Sequence, residues 1–591
     1  MSEAAVRESA FSSGKQAARG ERAMVATKHR LATKAALDML RGGGNVVDAA
    51  VAAAFAVGVV EPWSSGIGGG GYLVYQVGGR GGVFGFPMRA PLGVTPGMYR
   101  LTGTPAVGAF GWPGVEDDAN LEGPRSVATP GAVAGLTAAQ RELGRLPLED
   151  VLAPAIELAR GGFALEFHDL MAFGQQAGKL TRHAELRRVF LPNGDLPHGI
   201  QIPGPGYRRG DPVRAEPAKI RQPELADTLE GIARGGAAGF YRGGVAGRIV
   251  DAVRAGGGVL SRADLETYRP LHWQAGVSGD GPLEVRYRDL RVRVAPFASG
   301  GITSAMTLQM LANADLAACG HNSAEALHRY ICAARLAYAD RFAFLADPES
   351  ADVPWRGLTS PAYAARRWAA VGRKAPHHFK AGDPWREEGR RAPRRPPGSA
   401  PGYQDGTTHL CVLDGDGNAV SLTNTLMAGF GSGVVAPGTG VVLNNGMMWF
   451  DPVPGHVNSV APRRLPLNNM SPLLVLDGGG ARLAVGASGG RRITNCVTSL
   501  VVKMLDFGLG PQAAIDAPRL DCSTPLTAVD GRVDPAVIDE LRARRHHVGA
   551  IDSRYVTEGL SPFASPVAAA RAAGGLRGGA DTFHSAHAAG L

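Results

Sequence analysis

About two-thirds of the way along the chain, directly after a segment crowded with proline, glycine and arginine, the sequence changes to short β-branched and apolar runs. T-T-H-L-C-V-L-D leads through G-D-G-N to A-V-S-L-T-N-T-L, and later come G-V-V-L-N-N and S-P-L-L-V-L-D-G-G-G-A-R-L-A-V-G. Strand-length runs joined by D-G-N and D-G-G-G predict antiparallel sheet, because such turns tolerate the positive φ that tight hairpins need. Helical patterning lies on both sides of these strands. A-T-K-A-A-L-D-M-L breaks at Gly42-Gly43-Gly44, and Asn45 caps a second helix over V-V-D-A-A-V-A-A-A-F-A-V. Further helical tracts fall at 129–162, 222–255, 303–345 and 490–517. Strands bracketed by helices predict an α+β chain layered helix, sheet, sheet, helix.

At 591 residues and 45% hydrophobic, the chain can bury a large core. Its most apolar run, 49–60, falls short of the about 18 residues a bilayer span requires, so it reads as a buried helix. The start, M-S-E-A-A-V-R-E-S-A-F, lacks a cationic then apolar leader pattern, and the expectation is a cytoplasmic protein with no membrane partner. Cys319, Cys332, Cys411, Cys496 and Cys522 are widely spaced and odd in number, which predicts reduced, buried thiols and neither a disulfide framework nor a metal cluster. The pairs His377-His378 and His546-His547 and the spacing His584-x-x-His587 lack metal-site patterns and read as surface histidines. Net charge is +9, but Arg386, Arg390, Arg391, Arg394 and Arg395 crowd one proline-rich stretch without interleaved aromatics, so no nucleic-acid partner is expected. Residues 374–406 hold too many prolines, glycines and charges for a packed element and are expected to be a mobile loop. The glycines of 66–71 open a strand and lack G-K-[ST], so they suggest close backbone packing rather than a phosphate loop.

The run Gly406-Thr407-Thr408-His409 adds chemistry. If the bond before Thr407 is cut, one residue gains both a hydroxyl nucleophile and a free α-amine to act as its base, with no separate histidine. Such an amine titrates near pH ~8, close to working conditions. In isolation, a T-T-H triplet is more often just the start of a strand.

Together, G-G-N-V-V-D-A-A-V-A, G-I-G-G-G-G-Y, V-A-T-P-G-A-V-A-G, Y-A-D-R-F-A-F-L-A-D-P, G-T-T-H-L-C-V-L-D-G-D-G-N-A-V-S-L-T-N-T-L, L-N-N-G-M and G-A-S-G-G-R-R-I resemble the γ-glutamyltransferase (glutathione hydrolase) family of N-terminal-nucleophile hydrolases, from about residue 22 to 581. The resemblance implies a four-layer αββα sandwich, self-cleavage between Gly406 and Thr407, a large fragment 1–406 and a small fragment 407–591 forming one αβ unit or its dimer, an acyl-enzyme and no cofactor. It carries the nucleophile to Thr407, the hydroxyl that bonds it to Thr425, and the oxyanion hole to the backbone N–H groups of Gly489 and Gly490. Glycines suit that role because they let fixed donors come close to developing charge.

The positions that grip a glutamyl group depart from the family pattern. Its R-E-x-A-P becomes Pro87-Met88-Arg89-Ala90-Pro91, with Arg89 displaced by two residues. A typical asparagine becomes Met427; N-N-Q-M-D-D-F becomes Asn444-Asn445-Gly446-Met447-Met448-Trp449-Phe450; a serine pair becomes Asn468-Asn469. Exchanging an acid for Trp449 removes a charge partner and adds bulk. The expected activity is therefore hydrolysis of a small acyl or keto-acid substrate other than plain γ-glutamyl, with Arg89, Asn445, Gly446, Trp449, Asn468, Asn469 and Met427 as substrate-side residues. Related branches include oxamate amidohydrolases, cephalosporin acylases and biosynthetic enzymes that cut carbon–carbon bonds. A true glutathione hydrolase and an inactive processed scaffold are the alternatives.

Overall fold

The computed structural model describes residues 14–105, 112–197, 218–275, 283–393, 406–551 and 563–591. Two seven-stranded sheets, antiparallel throughout, form its centre. One runs Ala18–Gly20, Gly575–Ala580, Ser565–Ala572, Gly480–Ser488, Leu473–Asp477, Leu290–Val294, Leu283–Tyr287. The other runs His587–Gly590, Ala23–Thr27, Thr407–Asp414, Ala419–Thr425, Gly70–Val77, Arg80–Phe86, Leu271–Gln274. In the first sheet four strands from beyond Thr407 lie between strands from before it; in the second the hairpin 407–425 does so, while His587–Gly590 forms an edge.

Side-chain alternation sorts the layers. On Thr407–Asp414, Leu410 and Val412 join the core under helices Arg30–Arg41 and Val46–Val60, whereas Cys411 and Leu413 face the partner sheet. On Gly480–Ser488, Leu483 and Val485 meet helices Gly300–Leu311, Ala324–Phe344 and Arg492–Leu505, while Ala481 and Ala484 turn inward. The result is the αββα sandwich expected from the sequence. Both hairpins form as expected: Thr407 pairs with Thr425 and Leu413 with Ala419, and Leu473 pairs with Val485.

Helix Val46–Val60 is buried on nearly every side, which explains its lack of a polar stripe. Asn45 caps it reciprocally with Asp48. The glycines that follow allow backbone contact: a Cβ on Gly69 would stand 2.1 Å from the Thr425 carbonyl oxygen, and one on Gly71 would stand 2.2 Å from that of Thr423. No described helix is long and apolar enough to cross a membrane.

Within 374–393 most side chains are exposed, but Trp385 is buried in a 3-10 turn, Trp385–Glu388, with the Arg390 guanidinium over its ring, and Arg390 also pairs with Asp352 and Glu388. A single large aromatic anchors a segment whose prolines suggest exposure. Arg394, Arg395 and the rest of the expected mobile loop to 405 lie outside the described residues. One expectation is corrected: not all the histidines are superficial. His377 and His378 are exposed, but His546 is buried 2.7 Å from His328, with Cys332 beside them, and His584 bonds Asp581 at 2.9 Å. All five cysteines are free thiols, four of them buried.

Candidate active site

Thr407 opens its strand directly opposite Thr425. Their hydroxyl oxygens lie 3.1 Å apart. The Thr425 hydroxyl also contacts the Gly406 carbonyl at 2.5 Å and receives the Met427 N–H at 2.8 Å. A hydroxyl has one proton. With that proton on the Gly406 carbonyl, Thr425 can only accept from Thr407, so one side chain both aims the nucleophile and polarises the carbonyl of the bond before it.

The backbone around this pair is tightly constrained. A Cβ on Gly406 would meet the Met427 carbonyl oxygen at 2.5 Å. Met427 itself holds φ +89, a conformation costing roughly 1–3 kcal/mol for a non-glycine residue. It reverses the chain so that the Ala428 N–H reaches Asn445 Oδ1 at 3.0 Å. Across the cleft, Gly489 adopts φ +133 and Gly490 φ +55 at the end of strand Gly480–Ser488. The carbonyls of this glycine pair accept the first N–H groups of helix Arg492–Leu505, at 3.1 and 3.2 Å.

Thr407, Gly406 and Gly489 line one cleft of about 660 Å³, counting its open mouth. Its other walls include Lys28, Glu61, His168, Arg492 and Ser565, which were not singled out in the sequence, and His584, which was read there as a surface histidine. Glu61, at the C-terminal end of helix Val46–Val60, accepts from the Thr408 hydroxyl at 3.2 Å, and Lys28 donates to Ser565 Oγ. Burial pushes the Glu61 carboxyl up and the Lys28 ammonium down, each partly offset by the other's charge. His409, one residue further along the nucleophile strand, is held to about 3 by burial and then by Lys28, so it stays neutral between the sheets. One signal for Glu61 was legible: an acid ending an otherwise apolar helix.

The seven substrate-side candidates do not line this cleft in the uncut chain. Arg89 reaches Glu349 at 3.5 Å and lines a separate pocket with Tyr268, Arg269 and Arg463. Asn468 is buried, and its amide donates to Tyr72 Oη and the Ala298 carbonyl at 3.2 and 3.1 Å. Asn469 Oδ1 accepts from Arg341 at 3.0 Å. Asn445 clamps Ala428 and the Leu121 carbonyl. Gly446 sits where a Cβ would press on Ala128, Asn444 and Met88 at 3.0–3.1 Å. Met427 and Trp449 belong to the apolar cluster between the sheets. Of the seven, Met427 and Asn445 brace the turn that follows the nucleophile hairpin.

The sequence model of the gamma-glutamyltranspeptidase family matches residues 32–591. The chain is 33% identical over 522 residues to the glutathione hydrolase proenzyme of Escherichia coli (strain K12), covering 85% of this chain and 81% of that one. It is 32% identical over 556 residues to the acylase ACY 1 proenzyme of Pseudomonas sp. (strain V22), covering 94% and 92%. The cephalosporin acylase of Bacillus halodurans superposes with a TM-score of 0.82 at 25% identity, over 100% of this chain and 99% of that one.

Proposed function

The chain belongs to the gamma-glutamyltranspeptidase family and is a hydrolase of the N-terminal-nucleophile type; from that premise we propose that it cuts itself before Thr407 and then hydrolyses a small-molecule amide through a threonyl ester, with an acyl group other than plain γ-glutamyl. The observation that carries this is the triple engagement of the Thr425 hydroxyl with Thr407, Gly406 and Met427.

In the uncut chain, Thr407 Oγ attacks the Gly406 carbonyl carbon while Thr425 donates to its oxygen. The Thr407 hydroxyl proton passes to the Thr407 nitrogen as the C–N bond breaks, leaving the Gly406 acyl group as an ester on Thr407 beside a free α-amine, and water then hydrolyses the ester to release Gly406 as a carboxylate. The freed α-amine now takes the Thr407 hydroxyl proton during attack on a substrate carbonyl and returns it to the leaving amine. Gly489 and Gly490 supply backbone donors to the oxyanion, each worth about 3 kcal/mol of barrier. Water then frees the acid and regenerates the enzyme.

Three features support an acyl group other than γ-glutamyl: Arg89 sits on Glu349, Trp449 is apolar and buried, and cations line the cleft. Incubating the processed enzyme with γ-glutamyl, glutaryl and oxalyl anilides tests the reading. Hydrolysis should favour the last two, and γ-glutamyl turnover above both would overturn it.

A further inference from the structure

The cleft beside Thr407 offers more cationic and donor groups than a neutral acyl chain could use. Lys28 is 2% exposed, yet among the described residues its ammonium donates only to Ser565 Oγ, and no carboxylate lies within ion-pair distance. Two of its three N–H groups are left over. His168, 6% exposed on helix Phe167–Gln175, lines the same cleft, and neither of its ring nitrogens has a hydrogen-bond partner among the described residues. Its nearest carboxylate oxygen, on Asp169, is 3.8 Å away. A neutral imidazole must carry one N–H, and a buried donor without an acceptor is rare in a native protein. The Arg492 Nε donates to the Gly489 carbonyl at 3.3 Å, which brings a second cation beside the glycine pair. Against these groups the cleft wall holds one carboxylate, Glu61, which accepts from Thr408.

The missing occupant must accept hydrogen bonds, carry negative charge and enter the cleft that holds the nucleophile. We propose that Lys28 and His168 form a carboxylate subsite, so that the acyl group delivered to Thr407 is that of a short dicarboxylic acid ending in a second carboxylate. This rests on the reading of Thr407 as the acyl-accepting residue. It also accounts for the disfavour of γ-glutamyl, whose ammonium adjoins its carboxylate and would enter a wall that already carries Lys28 and Arg492.

The test compares glutaryl-p-nitroanilide with valeryl-p-nitroanilide, chains of equal length in which a methyl replaces the carboxylate. The self-processed wild type, Lys28→Met and His168→Asn are each assayed, and the readout is the ratio of kcat/KM for the two anilides, in which any loss common to both cancels. Wild type should favour glutaryl by about 100-fold, as a desolvated charge-assisted contact implies, and the ratio should fall at least about 10-fold in either variant. If Lys28→Met fails to process, His168→Asn decides by the same ratio. Hydrolysis of both anilides without a glutaryl preference, or a ratio unmoved by substitution, sinks the subsite and leaves the amide-hydrolase reading intact. If neither anilide is cut although Thr407 is a free terminus, that reading fails and the subsite falls with it.

Discussion

Thr425 has one proton and three neighbours, and that arithmetic sets what single substitutions should do. Thr407→Ala removes the attacking oxygen, so intact mass should show one chain spanning 1–591, whereas wild type should yield 1–406 and 407–591 with Thr407 at the new terminus. Thr425→Ala removes the donor on the Gly406 carbonyl and the acceptor that aims Thr407. At about 3 kcal/mol for an oxyanion donor, self-cleavage should slow roughly 100-fold, read as the half-time of precursor loss on denaturing gels. Gly406→Ala would force a Cβ to within 2.5 Å of the Met427 carbonyl oxygen, and Met427 already carries a strained φ. Its precursor should persist for the same assay period even though the nucleophile is intact.

Between strand Ala419–Thr425 and the cleft lies the loop 428–433, which the structure holds from outside. Lys179, on helix Ala177–Arg182, donates to the Gly429 and Gly431 carbonyls at 2.9 Å each, and Gly433 packs against the His183 ring. His183 in turn bonds Glu122 at 2.8 Å. That bond, then the Arg182 guanidinium, hold the Glu122 carboxyl down at about 2 against the opposing effect of burial. A carboxylate depressed in the folded state adds stability above its unfolded pKa of about 4.3, and that stability is lost as pH falls toward 2. Glu122→Gln should therefore be less stable than wild type by about 1 kcal/mol at pH 6, discounted for partial exposure, and the gap in Tm should close near pH 2. Local signals of this kind decided what was legible in the sequence. The Asn45 cap, the two hairpins and the close-packed glycines each announce themselves within a few residues. Lys28, His168 and Ser565 do not, because they come from three segments far apart in the chain and meet only when the sheets and helices are assembled. Trp385 shows the opposite failure, with a proline-rich context masking one anchoring aromatic.

At the scale of the molecule, the strands on either side of the proposed cut are interleaved. Strand Ala23–Thr27 pairs with Thr407–Asp414 on one edge and His587–Gly590 on the other, and Gly70–Val77 closes the far side of the nucleophile hairpin. After cleavage the pieces should co-elute in native size exclusion and separate only in denaturant, in one cooperative transition. Separation in mild buffer would contradict this ladder pattern. Fold class was readable from the sequence because helices bracket runs of strands; the interleaving was not, because β-pairing partners hundreds of residues apart leave no local trace. The ladder also imposes a chronology. Thr425 can touch Gly406 only after the 407–414 and 419–425 strands have zipped together, so scission must come after folding, and two halves made as separate polypeptides would each lack the neighbours that cover their edges. A gene split at that junction should give insoluble products, and denatured mature enzyme should fail to regain activity, since the continuous template that once registered its strands no longer exists.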